Sequence, residues 1–536
     1  MSDRLLIEKG KNEIKMRLYG QGLGDCFLLA FPRKDRPEDP CYMVIDCGAA
    51  MSTPDKDIRI KRVVEDIHAA TGGHIDVLAI THQHFDHISG FQDAWQEWKK
   101  IQVDAVYLPW TEAAMVSGEH KSASDFRDIL DRAAKKALEK AADEGILEAH
   151  PGFRAQADFL GVALAADGGS KPADMDDAME FARNLCPPDK VRYFEPGDVF
   201  RLPGTSFHGY VLGPPLPDKE NPEGKKYIEL LVDEEVMYSY APLGMKVDEG
   251  RPGGANAFAL SDDRSLPALA SGLLAADAVD RQGDEGFSPF APEIRLDWDN
   301  AMSSRFFSKH YGEGGMLGES GAWRRVDTDW LAGVANLALR AGDYTNNVSL
   351  VLAFDIPGSD KMLLFPGDAQ VGNWLSWHTI DEWKFREGAM PVKPPAPNDE
   401  QTLMENLLSR VAFYKVGHHG SHNATIKEKG LEAMTREDLV AYVPVSIPVA
   451  QDLMGYCPMP FYPVIRALQV KTKGRVFLPN GQAIGPIHGK TNKALLAESG
   501  IVSSSESLPP KKNKDGTVLE GKVPLYLEVT VGGKPG

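Results

Sequence analysis

Cysteine is scarce in this chain. There are five in 536 residues (Cys26, Cys41, Cys47, Cys186 and Cys457), an odd number with no CxxC spacing. That excludes a disulfide framework and a cysteine-built zinc site, and it reads as buried thiols in a reducing compartment. Long apolar runs are missing too: stretches such as SLVLAF fall far short of the ~20 residues a bilayer span requires. The opening MSDRLLIEKGKNEIK mixes charges of both signs and holds no apolar segment of signal-peptide length. A cytoplasmic protein without a membrane partner is therefore expected. Basic residues are outnumbered, 59 against 77 acidic, for a net charge of −18 and a pI near 5.3. Such a surface disfavours wrapping a long polyanion, although bound divalent metals and a local basic patch can still hold one phosphodiester. No repeat of solenoid period is present.

What is there is ordinary globular material, 43% hydrophobic and 25% charged, enough for a large core. Residues 12–112 read as alternating strands and helices. IKMRLYG and CFLLAF flank the turn GQGLGD, and YMVID ends at Asp46-Cys47-Gly48. Ile60, Val63, Val64 and Ile67 follow the i, i+3, i+4, i+7 pattern of an amphipathic helix stopped by Gly72 and Gly73. IDVLAI then has the continuous apolar character of a strand covered on both faces. Residues 113–190 read as a helical insertion, with one helix capped by Ser124 and a second near Asp174 to Leu185. Strands resume over 191–215. Residues 216–340, rich in Gly, Pro and acidic side chains, form a second insertion. The last part, 341–536, carries NNVSLVLAFD, KMLLFPGDA and VAFYKVGHHG and closes on VPLYLEVTV, an expected edge strand.

The chemistry concentrates in THQHFDHISG, residues 81–90, directly after the strand IDVLAI and ahead of a helix expected to begin near Ser89. Three imidazoles and a carboxylate within six residues form a dense set of borderline ligands suited to zinc, iron or manganese. The alternate positions His82 and His84 can converge on one ion, while Asp86 and His87 turn to another.

An HxHxDH string after a buried strand resembles the signature of the metallo-β-lactamase superfamily. GQGLGD, VIDCG, VLGPP, NNVSLVLAF, LLFPGDA and GHHGSH, in that chain order, resemble its ComEC-like branch, the hydrolase domain attached to the competence DNA-uptake channel. The channel itself is excluded by the lack of a membrane-spanning run. The resemblance implies an α/β fold, a four-layer αββα sandwich interrupted by the two insertions. It also implies two divalent metal ions, with zinc first and manganese or iron as alternatives. His82 and His84 would hold the first, and Asp86, His87 and His419 the second. Asp368 would bridge them, Asp86 would also orient the nucleophile, and His418 would face substrate as a donor or proton carrier.

A third ligand for the first metal is missing from the pattern. Either Asn346 or Asn347 of GDYTNNVS takes its place, or a distant histidine (His120, His150, His208 or His310) swings in. Asp46 and Asp25 are candidates to accept from a metal-bound imidazole, or else serve only their turns. Trp374 and Trp377 of GNWLSW fit core packing better than a pocket wall.

Implied substrates are a small phosphodiester or a single-stranded nucleic acid: a strand end, a nucleotide or a phosphocholine-type ester. A lactone, thioester or β-lactam comes second. A further alternative is a non-catalytic regulatory module that keeps its metals for stability and binds a protein partner through the insertions. Lys135, Lys136 and Lys140 would form a local basic patch.

Overall fold

A computed structural model describes residues 4–36, 38–113, 175–216, 223–239, 303–305, 342–386, 401–453, 458–485, 489–512 and 516–532. In the first half, β1 (Glu13–Tyr19), β2 (Cys26–Phe31) and β3 (Cys41–Cys47) form an antiparallel meander. After it, β4 (His74–Ala79), β5 (Gln102–Pro109) and β6 (Val191–Phe194) add in parallel. β2 and β3 are buried along their whole length because both of their faces are covered. In β2, Phe27, Leu29 and Phe31 point into one core, and the alternating Cys26, Leu28 and Ala30 into another. The outer core is closed by α1 (Lys56–Thr71), α2 (Phe85–Asp93) and α3 (Met175–Arg183). From these come Ile60, Val63, Val64 and Ile67, then Ile88 and Phe91, then Met175, Ala178, Met179 and Ala182.

The chain changes sheets between β6 and β7 (Asp198–Arg201). The second sheet contains β8 (His208–Gly213), β9 (Val351–Asp355), β10 (Met362–Phe365), β11 (Lys384–Phe385), β12 (Val411–Lys415), β13 (Val440–Tyr442) and β14 (Val476–Phe477). Its order is β11-β7-β8-β9-β10-β12-β13-β14, parallel from β10 to β14. α4 (Glu223–Glu229), α5 (Val371–Trp377), α6 (Leu403–Ser409) and α7 (Tyr462–Lys471) belong to this half. The last three cover the sheet's outer face. Between the sheets, Phe27, Phe31 and Ile45 meet Phe354, Phe365 and Tyr442, so the layers are helix, sheet, sheet, helix. This is the expected αββα sandwich.

Two local expectations are corrected. The helix of the histidine motif begins at Phe85, not near Ser89, so Asp86 and His87 stand in its first turn. The C-terminal strand is not an edge. As β16 (Tyr526–Gly532) it lies between β1 and β15 (Ile501–Ser503), giving the first sheet the order β15-β16-β1-β2-β3-β4-β5-β6. Ile501 and Met16 face Val529 from either side. Sequence distance hid this, because β1 stands at the other end of the chain.

His120, His150, His310, Lys135, Lys136, Lys140 and Cys457 lie outside the described residues, as do most positions of 113–190 and 216–340. Among the described residues no helix is long and apolar enough to cross a membrane.

β1 is tied to α1 by a buried charge pair. Arg17 Nη1 stands 2.8 Å from Asp66 Oδ2, and the Tyr19 hydroxyl donates to the same oxygen at 2.7 Å. Removing one member of such a pair strands the other in low dielectric. Asp66→Ala is thus expected to lower unfolding free energy by about 3 kcal/mol, read by chemical denaturation. A loss below about 0.5 kcal/mol, the range of a neutral surface change, would show that the pair does not hold the helix.

Candidate metal centre

The C-terminal ends of β3 and β4 in one sheet, and of β10 and β12 in the other, open on the same edge of the sandwich. After β4 a short loop with a bend at Gln83 leads to His84, which takes the N-cap position of α2 with φ −99° and ψ 153°. Across this loop the two imidazoles meet, with His82 Nε2 3.1 Å from His84 Nδ1.

Asp46 fixes this loop from the end of β3. Its carboxylate accepts the Thr81 amide at 2.8 Å, the Thr81 hydroxyl at 2.7 Å and His87 Nδ1 at 2.8 Å. To reach them, Asp46 adopts φ 55°, a left-handed conformation that non-glycine residues take at a cost. Asp46 is therefore the acceptor for the His87 imidazole. Asp25 instead stands 3.8 Å from His87 Nδ1 and 2.5 Å from the Lys415 ammonium.

The glycines of GQGLGD and VIDCG explain themselves as contacts. The Asp25 amide donates to Asp86 O at 3.0 Å, bringing both turns against the start of α2. A Cβ on Gly24 would lie 2.5 Å from Asp86 O, and one on Gly48 2.4 Å from the Asp86 carbonyl carbon. Only a bare backbone fits there.

From the second sheet, Pro366-Gly367-Asp368 follows β10 and Gly417-His418-His419-Gly420 follows β12, with φ 42° at His418 and 52° at His419. His419 Nδ1 donates to Pro444 O at 2.9 Å, so its Nε2 faces inward, 2.8 Å from Asp86 Oδ2 and 3.5 Å from Asp368 Oδ2. His87 is oriented the same way: Nδ1 on Asp46, Nε2 3.2 Å from Asp368 Oδ2. One ligand atom from each of Asp86, His87, Asp368 and His419 lies within 4.8 Å of the others, and all four side chains are buried.

The donor set fits a divalent cation. Asp86 Oδ1, His87 Nε2 and Asp368 Oδ2 are buried atoms without a hydrogen-bond partner, an expensive condition unless an ion satisfies them. Charge tells the same story. Burial alone would push the His87 and His419 imidazoles down, but Asp368 and Asp86 outweigh it and hold both above their ordinary values. In effect protons stand where positive charge is wanted. Burial also acts on His84 and His418, pushed down to about 4, and on His82, held well below its usual range. Those three present neutral imidazoles.

The sequence left two asparagines open, and their surroundings differ. Asn347 is consumed by the fold: its amide donates to the carbonyls of Tyr227, Ile228 and Leu230, and its oxygen accepts the Asn373 amide. Asn346 has a buried Oδ1 with no hydrogen-bond partner, and its Nδ2 is 3.3 Å from His418 Nε2. His208 is at the opposite end of β8, beside Asp355, and is not part of the cluster. Trp374 and Trp377 are fully buried, with ring centroids 4.1 Å apart, in the core under α5.

Residues 22–152 match the family model described as Metallo-beta-lactamase superfamily. That stretch of the chain is similar to the metallo-β-lactamase superfamily. A comparison with curated proteins returns no match. The matched span contains Asp25, Asp46 and the whole of His82 to His87. Asp368, Lys415 and His419 lie beyond it, and the second sheet brings them to the same point. Sequence reading overlooked Lys415. The available signal was a lone lysine in the apolar strand VAFYK, two residues before GHHG.

Gly48→Ala should force the α2 start away from β3. We expect a stability loss of about 1–3 kcal/mol and reduced metal content by elemental analysis, with Gly521→Ala, which meets nothing within 4 Å, as the control. Equal behaviour of the two variants would refute the close-approach argument. For the asparagines, Asn347→Ala should cost about 2 kcal/mol in a denaturation experiment, since buried carbonyls lose their donor. Asn346→Ala should remain much closer to wild type; the reverse ranking would exchange their roles.

Proposed function

We propose that the cluster holds two divalent metals and that the protein hydrolyses phosphodiesters. The observation that carries the reading is the convergence of inward-facing, hydrogen-bond-deficient atoms from His87, Asp86 and Asp368 beside the neutral pair His82 and His84. His82 and His84, with Asn346 as the third donor, form one ligand set. Asp86, His87 and His419 form the other, and Asp368 belongs to both. Bound there, the metals would supply Lewis acidity that lowers the pKa of water and takes up charge developing on the scissile group.

The chain's own residues do the rest. Asp86 orients the attacking water through a carboxylate oxygen. His418 is partly open to solvent, and its Nδ1 is fixed by the Ser421 hydroxyl at 2.9 Å, which suits a group that hydrogen-bonds substrate. Support for phosphodiesters comes from the ordered motifs GQGLGD, VIDCG, NNVSLVLAF, LLFPGDA and GHHGSH, which resemble the ComEC-like branch. That is an argument by analogy. The charge of −18 favours a small diester or single-strand end over long duplex, which needs many cationic contacts.

Elemental analysis of the purified protein should find close to two transition-metal ions per chain, falling by about one in a His82→Ala, His84→Ala double variant; full retention would overturn the ligand assignment. Hydrolysis of bis-(p-nitrophenyl) phosphate with zinc or manganese should be abolished by chelator. Asp86→Asn should reduce turnover by about 100-fold or more with only a modest change in melting temperature. Turnover confined to lactone or β-lactam substrates in the same screen would reject the phosphodiester reading. Internal cutting of plasmid as fast as of short single strands would reject the preference for small substrates.

A further inference from the structure

Lys415 is a fully buried cation at the base of the cluster. It ends β12, two residues before the GHHG turn. Its ammonium meets Gly367 O at 2.7 Å, Asp368 Oδ1 at 3.1 Å and Asp25 Oδ2 at 2.5 Å, which uses all three of its donors. The His418 amide is a second donor to the same Asp368 Oδ1, at 3.2 Å. Asp368 is therefore held by one oxygen only. The other, Oδ2, has no hydrogen-bond partner and faces His87 Nε2, His419 Nε2 and His418 Nε2 at 3.2, 3.5 and 3.9 Å.

We propose that Lys415 is a positioning residue that restricts Asp368 to ligation through Oδ2 alone, so that this single oxygen is presented to both metal sets. The inference rests on the metal reading given under Proposed function. Without the ammonium, Asp368 has both oxygens available and can rotate. It would then chelate one ion with two oxygens and leave the other ligand set short of a donor. A structural reading competes with this, in which Lys415 merely neutralises buried carboxylates. Asp25, Asp46, Asp86 and Asp368 are all buried, and Lys415 is the ammonium that faces two of them.

Charge and positioning can be separated. Lys415→Met alone strands two carboxylates and is expected to lower stability. The double variant Lys415→Met, Asp25→Asn removes one positive and one negative charge, so the net charge of the centre is unchanged while the hold on Asp368 is lost. Apoprotein is titrated with zinc against a chromophoric chelator, and with cobalt(II) for its visible spectrum. Wild type should bind two ions. The double variant should recover most of the melting temperature but bind its weaker ion about 10–100-fold less tightly, the usual cost of losing a residue that orients a ligand, with an altered cobalt spectrum. Asp25→Asn alone keeps Lys415 on Asp368 and should stay within about threefold of wild type, well under that cost.

The proposal is overturned if the double variant binds both ions with wild-type affinity and spectrum. It is also overturned, whether or not the double variant folds, if Asp25→Asn by itself weakens the second ion by tenfold or more. A wild type that binds no metal would instead reject the reading on which the inference stands.

Discussion

Negative charge packed into the buried edge of the sandwich is the constraint on which this structure depends. Four carboxylates converge at one edge of the sandwich, each almost fully buried, and ionised groups are costly there unless opposite charge is close. Everything around them supplies it. Lys415 is drawn into a strand that is otherwise apolar. His87 and His419 are held above their ordinary pKa by Asp368 and Asp86 against the opposing effect of burial. Atoms still lacking a partner are directed at a common point. A divalent cation there would release protons from the two imidazoles and satisfy the atoms that nothing in the protein satisfies.

Holding such a centre together falls to parts of the chain with no charge. The two sheets meet through aromatic and aliphatic side chains, and this apolar contact sets strand ends from distant parts of the sequence beside each other. Close packing then positions the α2 start: Gly24 and Gly48 let backbone touch backbone, and Asp46 collects three donors from the loop in between. The rigidity needed for an ion site thus derives from ordinary core packing carried to the sheet edge.

The family match and the geometry divide the chain differently. The matched span ends at residue 152, and by itself it contains the HxHxDH loop with its supporting aspartates. Asp368 and His419 are needed to close the group, and both come from the second sheet. A group split in this way is assembled only when both sheets have formed, so any metal it held would be coupled to folding of the entire sandwich.

Much of this was legible in the sequence because it is local. Apolar runs ending in Gly and Asp marked the strands, helical spacing marked α1, and the density of imidazoles in residues 82–87 marked the candidate ligands. Order along the chain was enough to add Asp368 and His419 through resemblance. What sequence could not decide was anything set by contacts between remote segments. Asn346 and Asn347 are adjacent and chemically identical; only the carbonyls offered by α4 and the segment after it make one structural and leave the other's oxygen without a partner. Asp46 and Asp25 looked equivalent until His87 was found on one and Lys415 on the other. The C-terminal strand reads as an edge in the sequence because its partner β1 stands at the other end of the chain. Residue type and spacing determine which chemistry is available, while tertiary packing decides which atom of each group is already occupied and which is left for the ion.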